Sequence, residues 1–314
     1  MKFRFKISSY LVKTNRGYST LSPSLDPHWF TGFADAEGCF KVTVRRQKGF
    51  TGWGVSADFS LNLHAKDLPL LYKIQSFLGG VGRIHVSSGG KTVSFTVSKI
   101  DDLIYVIIPH FKKYPLQSGK SIDFQLWNQC VEMLVNKQHL NLLGLNKIIG
   151  LKSALNVGLS EDLKLEFNNV IPMERPAYVA DSISLNPNWV SGFTEGDGSF
   201  HVSISPKTDY VRRMYSICLN KRDLPLIIKI QEYFGGIGNI SHYAKNNAVQ
   251  FTVADLKSIN ERIIPQFDTY VFCGNKLTNY LIWREILMLV NSKAHLTTEG
   301  LKTIEGLKSN LNQW

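Results

Sequence analysis

The chain has 314 residues, enough for two cored domains of ordinary size, and no apolar stretch approaches the roughly 20 residues of a membrane-spanning helix. Its 36 basic and 25 acidic residues give a formal net charge of +11, an excess that favours polyanions through counterion release and says nothing about fold. Four cysteines (Cys39, Cys130, Cys218 and Cys273) lack CxxC spacing, which argues against a zinc site or a disulfide framework and makes a reducing compartment the default.

Residues 1–24 carry Lys2, Arg4, Lys6, Lys13 and Arg16, several Ser and Thr, and no acid. This basic N-terminal extension has the composition of a transit segment, of a leader read through from an upstream frame, or of a disordered basic arm. From residue 25 the chain repeats itself. Residues 25–40 read LDPHWFTGFADAEGCF and residues 185–200 read LNPNWVSGFTEGDGSF, with seven of 16 positions identical at an offset of 160. KDLPL at 66–70 returns as RDLPL at 222–226, and Lys120, Trp127 and His139 return as Lys276, Trp283 and His295, all at an offset of 156. The first copy thus holds four extra residues between Phe40 and Lys66, which we assign to a hairpin. A long repeat of this kind implies a pseudo-twofold fused dimer, with copies at 25–156 and 185–314. Residues 157–184 link them, as a short helical stretch around 161–167 and then an extended run past Pro172 and Pro176.

Each copy opens with a helix. Asp26–Pro27 and Asn186–Pro187 pair an N-cap side chain with proline at the first helical position. Gly38 and Gly198 stand where a C-terminal glycine belongs, a position that calls for left-handed backbone. Gly32 and Gly192 lie mid-helix, where glycine costs about 1 kcal/mol relative to alanine; its presence in both copies predicts two helices packed too closely for a side chain. After each helix the hydrophobic period becomes two. Four strands per copy, each with one apolar and one polar face, predict α+β domains built on antiparallel sheets.

The polar face collects Lys41, Thr43, Arg45, Arg46, Lys48, Ser60, Asn62, Lys66, Arg83, His85 and Ser94 in the first copy. In the second it collects His201, Ser203, Ser205, Lys207, Arg212, Arg213, Lys221, Arg222, Asn239, Ser241 and Gln250. Basic and hydrogen-bonding side chains on a β-ribbon suit the major groove of DNA, where each base pair shows a distinct donor and acceptor pattern.

Glu37 and Asp197 are the last acids of the two helices, so close packing brings them out at one end. There they face the negative helix dipole and each other. A divalent cation relieves both, and oxygen ligands with water suit Mg²⁺ or Mn²⁺. Asp35 and Glu195 lie two positions earlier, about 200° around the helix, and are expected to cap or pair instead. His139 and His295 recur without a second ligand at metal spacing and are expected to be structural.

The segments FTGFADAEG and VSGFTEGDG resemble the paired motifs of single-chain LAGLIDADG homing endonucleases, and the resemblance spans about residues 25–314. It implies an αββαββα unit used twice, with the two sheets forming a saddle over duplex DNA and the motif helices forming the domain interface. It implies a monomer that makes a metal-dependent staggered double-strand break across the minor groove of a long asymmetric target. Glu37 and Asp197 carry over as catalytic acids and metal ligands, with the backbone carbonyls of Ala36 and Gly196 toward the metals. Lys120 and Lys276 carry over as basic residues that organise water, with Lys221 a third candidate whose counterpart is Ala65. On the same scaffold a maturase would take intron RNA as partner, and a regulator would bind DNA without cutting; retention of both acids argues against complete loss of cleavage. Association of the family with organellar introns points to mitochondria.

Overall fold

The computed structural model describes residues 12–14, 17–19 and 25–312. The extension expected over residues 1–24 therefore lies outside the described residues, apart from two short strands, Val12–Thr14 and Gly17–Ser19, paired with each other.

Both motif helices start as their sequences dictate. Asp26 accepts from the His28 and Trp29 N–H groups at 2.8 and 3.1 Å, opening the helix Pro27–Glu37. Asn186 accepts from Asn188 N–H at 2.9 Å and opens Pro187–Asp197. Their ends differ from expectation. Gly38 (φ −74°, ψ 148°) and Gly198 (φ −80°, ψ 152°) are extended, not left-handed. Each is the first residue of a strand that leaves the helix with no loop, so the strand doubles back on the last helical turn. A Cβ on Gly38 would lie 2.5 Å from the Ala34 carbonyl oxygen, and one on Gly198 would lie 2.3 Å from Thr194 Cγ2. Glycine is needed there for space.

Each copy builds one four-stranded antiparallel sheet, so the fold is α+β with two repeats. The first comprises Gly38–Arg46, Trp53–His64, Arg83–Val86 and Thr92–Val97; the second comprises Gly198–Ile204, Val211–Asn220, Asn239–Tyr243 and Ala248–Val253. In both, the second strand lies between the first and the fourth, and the third forms the far edge. The first hairpin of copy one has strands of 9 and 12 residues against 7 and 10 in copy two, which accounts for the four extra residues as a longer ribbon.

The apolar faces carry the two cores. Phe40, Phe59, Leu61 and Phe95 pack under the helix Lys120–Val135, where Trp127 sits 5.2 Å from Phe40 between ring centroids. Phe200, Tyr215, Ile217 and Phe251 pack under Lys276–Asn291, where Trp283 sits 4.9 Å from Phe200. On the edge strand of copy one the alternation fades: Val86 is exposed although its parity points it inward. Two assignments to the polar face are overturned. Successive residues of a strand point to opposite faces, so Arg45 and Arg46 cannot share one, nor can Arg212 and Arg213. Arg46 has the parity of Phe40 and Val44; it lies 4.7 Å over the Trp53 ring and pairs with Glu166. Arg213 stands opposite buried Val202 in register, and its guanidinium lies 5.7 Å from the Tyr210 ring.

The linker contains the helix Glu161–Glu166 and then an extended run. Phe167 packs against Trp53 at 5.1 Å, tying the linker to the first hairpin.

The two copies meet through the motif helices. A Cβ on Gly32 would lie 2.1 Å from the Trp189 carbonyl oxygen, and one on Gly192 would lie 2.0 Å from the Trp29 carbonyl oxygen. Backbone therefore touches backbone in both directions across the pseudo-twofold axis. Since main chain cannot swing aside as a rotamer can, Gly32→Ala or Gly192→Ala is expected to destabilise the protein by about 3 kcal/mol, the upper end for overpacking. Gly306, inside the helix Thr298–Ser309, is the control, since a Cβ there would meet nothing within 4 Å; Gly306→Ala should stabilise by up to about 1 kcal/mol. Urea denaturation of the three variants measures both.

Candidate active site

The seam fixes where the acids emerge. Asp35 is buried and accepts from Gln117 N–H at 2.6 Å, Ser118 N–H at 3.2 Å, Ser118 Oγ at 2.6 Å and Trp189 Nε1 at 2.9 Å. Glu195 is buried and accepts from the N–H groups of Cys273, Gly274 and Lys276 at 2.9, 3.1 and 3.0 Å. These are the capping roles expected of them. The helices Lys120–Val135 and Lys276–Asn291 have no side-chain cap of their own at Gly119 or Asn275. Each motif helix thus anchors the turn that launches a lysine.

Those lysines reach back to the ends of the motif helices. Lys120 Nζ donates to the carbonyls of Ala36 at 3.0 Å and Gly38 at 2.5 Å. Lys276 Nζ donates to Gly198 at 2.6 Å and Gly196 at 3.5 Å. The Ala36 and Gly196 carbonyls, expected to face metal ions, are therefore engaged by ammonium groups. Burial pushes both lysines below the usual range; against it, Asp35 is the foremost acid raising Lys120, and Glu195 the foremost raising Lys276, with Asp197 and Glu37 adding to both.

Glu37 lies against the second copy: a Cβ on Gly196 would sit 3.1 Å from Glu37 Cγ and 3.3 Å from Oε1. Burial raises the Glu37 carboxyl, opposed by Lys120 and Lys276. Burial, and then the Glu37 charge, push Asp197 up to about 6. Among the described residues neither carboxylate accepts a hydrogen bond, whereas Asp35 and Glu195 beside them are saturated. Two desolvated, mutually repelling carboxylates without donors fit a divalent cation. Among the described residues no third acid, histidine or cysteine completes a metal cluster with them, so further ligands would come from water and from phosphate oxygens. A cavity of about 250 Å³ adjoins Glu37, lined also by His64, Asp67, Gly196, Asn275 and Lys276 among others.

The polar sheet faces read as cross-strand rows. In copy one Asn62, Ser94 and His85 align, as do Ser60, Thr96 and Arg83, with Lys41 beside Asp58 and Thr43 beside Ser56. In copy two Cys218, Gln250 and Ser241 align, with Asn239 in the next row beside Thr252, and with His201 beside Met214 and Ser203 beside Arg212. Ser60 is on this face but only 8% exposed, so it supports neighbours and is not available for contact. Lys48 and Lys207 lie in the hairpin turns, Ser205 closes the second hairpin on Tyr210, and Lys66 and Arg222 lie in the 3₁₀ turns Ala65–Asp67 and Lys221–Asp223. Lys221 is exposed in that turn, with its N–H on the Asn247 carbonyl, and it does not join the acids as Lys120 and Lys276 do.

Two pairs of contacts across the seam went unread in the sequence. Asn275 Nδ2 donates to Asp67 Oδ1 at 2.9 Å, and Gly119 N–H donates to Asp223 Oδ1 at 2.8 Å. Lys73 Nζ donates to the Cys273 carbonyl at 2.9 Å, and Lys229 Nζ to Gln117 Oε1 at 2.7 Å. In each pair one copy grips the lysine-bearing loop of the other. The signal was the acid of KDLPL and RDLPL, repeated in both copies but read only as a mark of the repeat.

Residues 30–131 and 190–287 both match the family described as LAGLIDADG endonuclease. The chain belongs to this family. It is 39% identical over 306 residues to the probable intron-encoded endonuclease 3 of Neurospora crassa, covering 95% of this chain and 57% of that relative, so it spans little more than half of the relative's length. A 140-residue stretch is 36% identical to an uncharacterised 50.9 kDa protein in ND4 intron 1 of Podospora anserina, covering 43% of this chain and 30% of that protein. Among solved structures it resembles the LAGLIDADG homing endonuclease I-SmaMI bound to cleaved DNA, with 36% identity, a TM-score of 0.87 and coverage of 92% of this chain and 97% of that one. The same protein bound to its uncleaved DNA target in the presence of calcium ions gives the same TM-score of 0.87 and identity of 36%, covering 92% of this chain and 100% of that one.

The strain at this LAGLIDADG site is measurable. Asp197 titrates near 6 in the fold and near 3.9 in an unfolded chain, so its contribution is favourable below about pH 4 and is lost as pH rises through 6. In metal-free buffer Asp197→Asn should raise the unfolding free energy at pH 8 by about 2 kcal/mol, allowing for partial solvent screening. Below pH 4 it should change little. Denaturation curves at the two pH values test the sign.

Proposed function

We propose that this chain is a site-specific DNA endonuclease that makes a divalent-metal-dependent, staggered double-strand break in a long asymmetric target. One observation carries the reading. Glu37 and Asp197 are paired and half-buried at the meeting point of the two motif helices, free of hydrogen-bond donors among the described residues, with a half-buried lysine from each copy beside them.

Glu37 and Asp197 would hold Mg²⁺ or Mn²⁺ there. A bound metal supplies Lewis-acid polarisation of the phosphodiester and a more acidic water. Lys120 and Lys276 hold positive charge at the rim of the same centre, where it opposes the charge that develops at a scissile phosphate. Their hydrogen bonds to the strand-start carbonyls keep that charge in a fixed place and prevent a salt bridge that would neutralise the acids. Asp35 and Glu195 do no chemistry; they hold the turns that carry the lysines.

The polar sheet faces supply the target. Copy one offers Lys41, Thr43, Arg45, Asn62, Arg83, His85 and Ser94, and copy two offers His201, Ser203, Arg212, Asn239, Ser241 and Gln250. Equivalent rows differ, Lys41 against His201 and Asn62 against Cys218, so the two halves would read different half-sites and the target need not be a palindrome. The basic surface sets affinity and its salt dependence, and the rows of donors and acceptors set sequence preference. Because both halves are in one chain, a monomer suffices. A maturase or a non-cleaving regulator has no need for the donor-free acid pair. The basic, acid-poor composition of residues 1–24 and the likeness to a protein of an ND4 intron support a mitochondrial setting.

The test is cleavage of a randomised duplex library with Mg²⁺. The chain should cut at one long sequence, and Glu37→Gln or Asp197→Asn should each lower the rate at least about 10³-fold while leaving duplex affinity within a few-fold. Binding without cutting, unaltered by either substitution, would overturn the assignment. The proton competes with the metal for Asp197, whose carboxyl titrates at about 6. The Mg²⁺ concentration for half-maximal cleavage should therefore rise as pH falls below about 6 and level off above it.

A further inference from the structure

The two lysine-bearing helices are held differently, and the difference lies in the linker. In copy one, Asp123 is on the first turn of Lys120–Val135 and is only 3% exposed. Arg175 of the linker grips it at both oxygens, Nη1 to Oδ1 at 2.6 Å and Nη2 to Oδ2 at 3.0 Å. The same guanidinium donates to the Gly119 carbonyl at 3.1 Å, one residue before Lys120, and to the Ala154 carbonyl at 2.8 Å. Three residues further on, Tyr178 OH donates to the Gln117 carbonyl, and Asp181 pairs with Lys229, which itself holds Gln117. Linker side chains therefore fasten residues 117, 119 and 123 around Lys120.

Among the described residues copy two has no such strap. The counterpart of Asp123 is Asn279, which accepts the Asn312 N–H at 3.1 Å, just as Asp123 accepts Asn156 N–H at 2.8 Å. Among the described residues no arginine reaches Asn279. The lysines differ in the same sense: Lys120 Nζ lies 3.0 Å from the Ala36 carbonyl, but Lys276 Nζ lies 3.5 Å from that of Gly196. A bidentate, half-buried arginine–carboxylate pair is among the most directional contacts a protein makes. Placed on the first turn of a helix, it fixes the tilt of that turn and so the reach of the lysine it starts.

We propose that Arg175 is a positioning residue that acts through Asp123 and Gly119 on Lys120, and that the linker thereby gives the two strand cuts unequal rates. This rests on the endonuclease reading above. The linker is then more than a tether between copies: it braces the lysine-bearing turn of copy one and adds to the side-chain differences between the two halves of the centre. In copy two the equivalent position carries the neutral Asn279 with no arginine on it among the described residues, so a neutral side chain at 123 is the natural companion to loss of Arg175.

The experiment uses the full chain and the duplex selected from the library, end-labelled on each strand, with Mg²⁺ under single-turnover conditions. Lys120→Met and Lys276→Met first identify the strand that each lysine serves. Arg175→Met should slow the Lys120 strand about tenfold, leave the other within twofold, and leave duplex affinity within twofold. Because Arg175→Met strands the buried Asp123 charge, the double variant Asp123→Asn, Arg175→Met is made beside it. That pair copies the chemistry of Asn279 and should regain wild-type melting temperature without regaining the Lys120-strand rate. Equal slowing of both strands, no slowing, slowing of the Lys276 strand, or rescue of the rate along with the stability would each overturn the inference. If Lys120→Met and Lys276→Met fail to separate the strands, the inference falls as well. A wild-type chain that cuts no duplex would instead remove the endonuclease reading and this inference with it.

Discussion

The contact on which the rest depends is main chain against main chain. Gly32 meets the Trp189 carbonyl and Gly192 meets that of Trp29, so the motif helices lie closer than side chains allow. At that distance Glu37 lies across the seam against Gly196, and its charge reaches Asp197. The acids are paired because the helices are, and the helices are paired because glycine occupies one position in each. The cost appears twice. Each glycine gives up about 1 kcal/mol of helix propensity, and the two carboxylates are held above their ordinary pKa values. Stability is lost at the point where the two carboxylates meet.

Around that point the protein separates two kinds of acid by hydrogen bonding alone. Asp35 and Glu195 are more deeply buried than Glu37 and Asp197, yet they are saturated with donors and serve as fixed anchors for the turns at 117–119 and 273–276. Glu37 and Asp197 receive none, because the nearby ammonium groups of Lys120 and Lys276 are aimed at carbonyl oxygens. A partly desolvated charge without a hydrogen-bond partner is costly, and this separates the pair from an ordinary ion-pair network.

Much of this was legible in the residues. The offset of 160 between motifs gave the pseudo-twofold arrangement, Gly32 and Gly192 gave the close seam, and position at the helix end separated Glu37 and Asp197 from Asp35 and Glu195. Period two located the strands but not the faces of every residue. Where two arginines adjoin, as at 45–46 and 212–213, charge says nothing about which one points inward, and Trp53 and Tyr210 decide it. Gly38 and Gly198 were read from the usual conformation of a helix terminus, but a strand that follows with no loop needs glycine for clearance. The grips of Asp67, Asp223, Lys73 and Lys229 on the opposite copy showed only as recurrence at an offset of 156, because a contact between halves leaves no local period to detect.

A fused dimer keeps a symmetric backbone while its side chains are free to part. The motif acids show how. Copy one places aspartate at 35 and glutamate at 37, while copy two reverses the order at 195 and 197. Glu195, one methylene longer than Asp35, reaches three backbone N–H groups of the 273–276 turn, and the Trp29 indole is left with no acceptor. Asp35 is shorter, stops at Ser118 and Gln117, and keeps the Trp189 indole. The same exchange at the tip brings a longer arm, Glu37, across the seam to a shorter one, Asp197. Both carboxyls are raised by desolvation, and on Asp197 the Glu37 charge adds to it. Unequal hairpins, polar rows and supports are the natural state of such a molecule, since the glycine seam is what obliges its halves to agree.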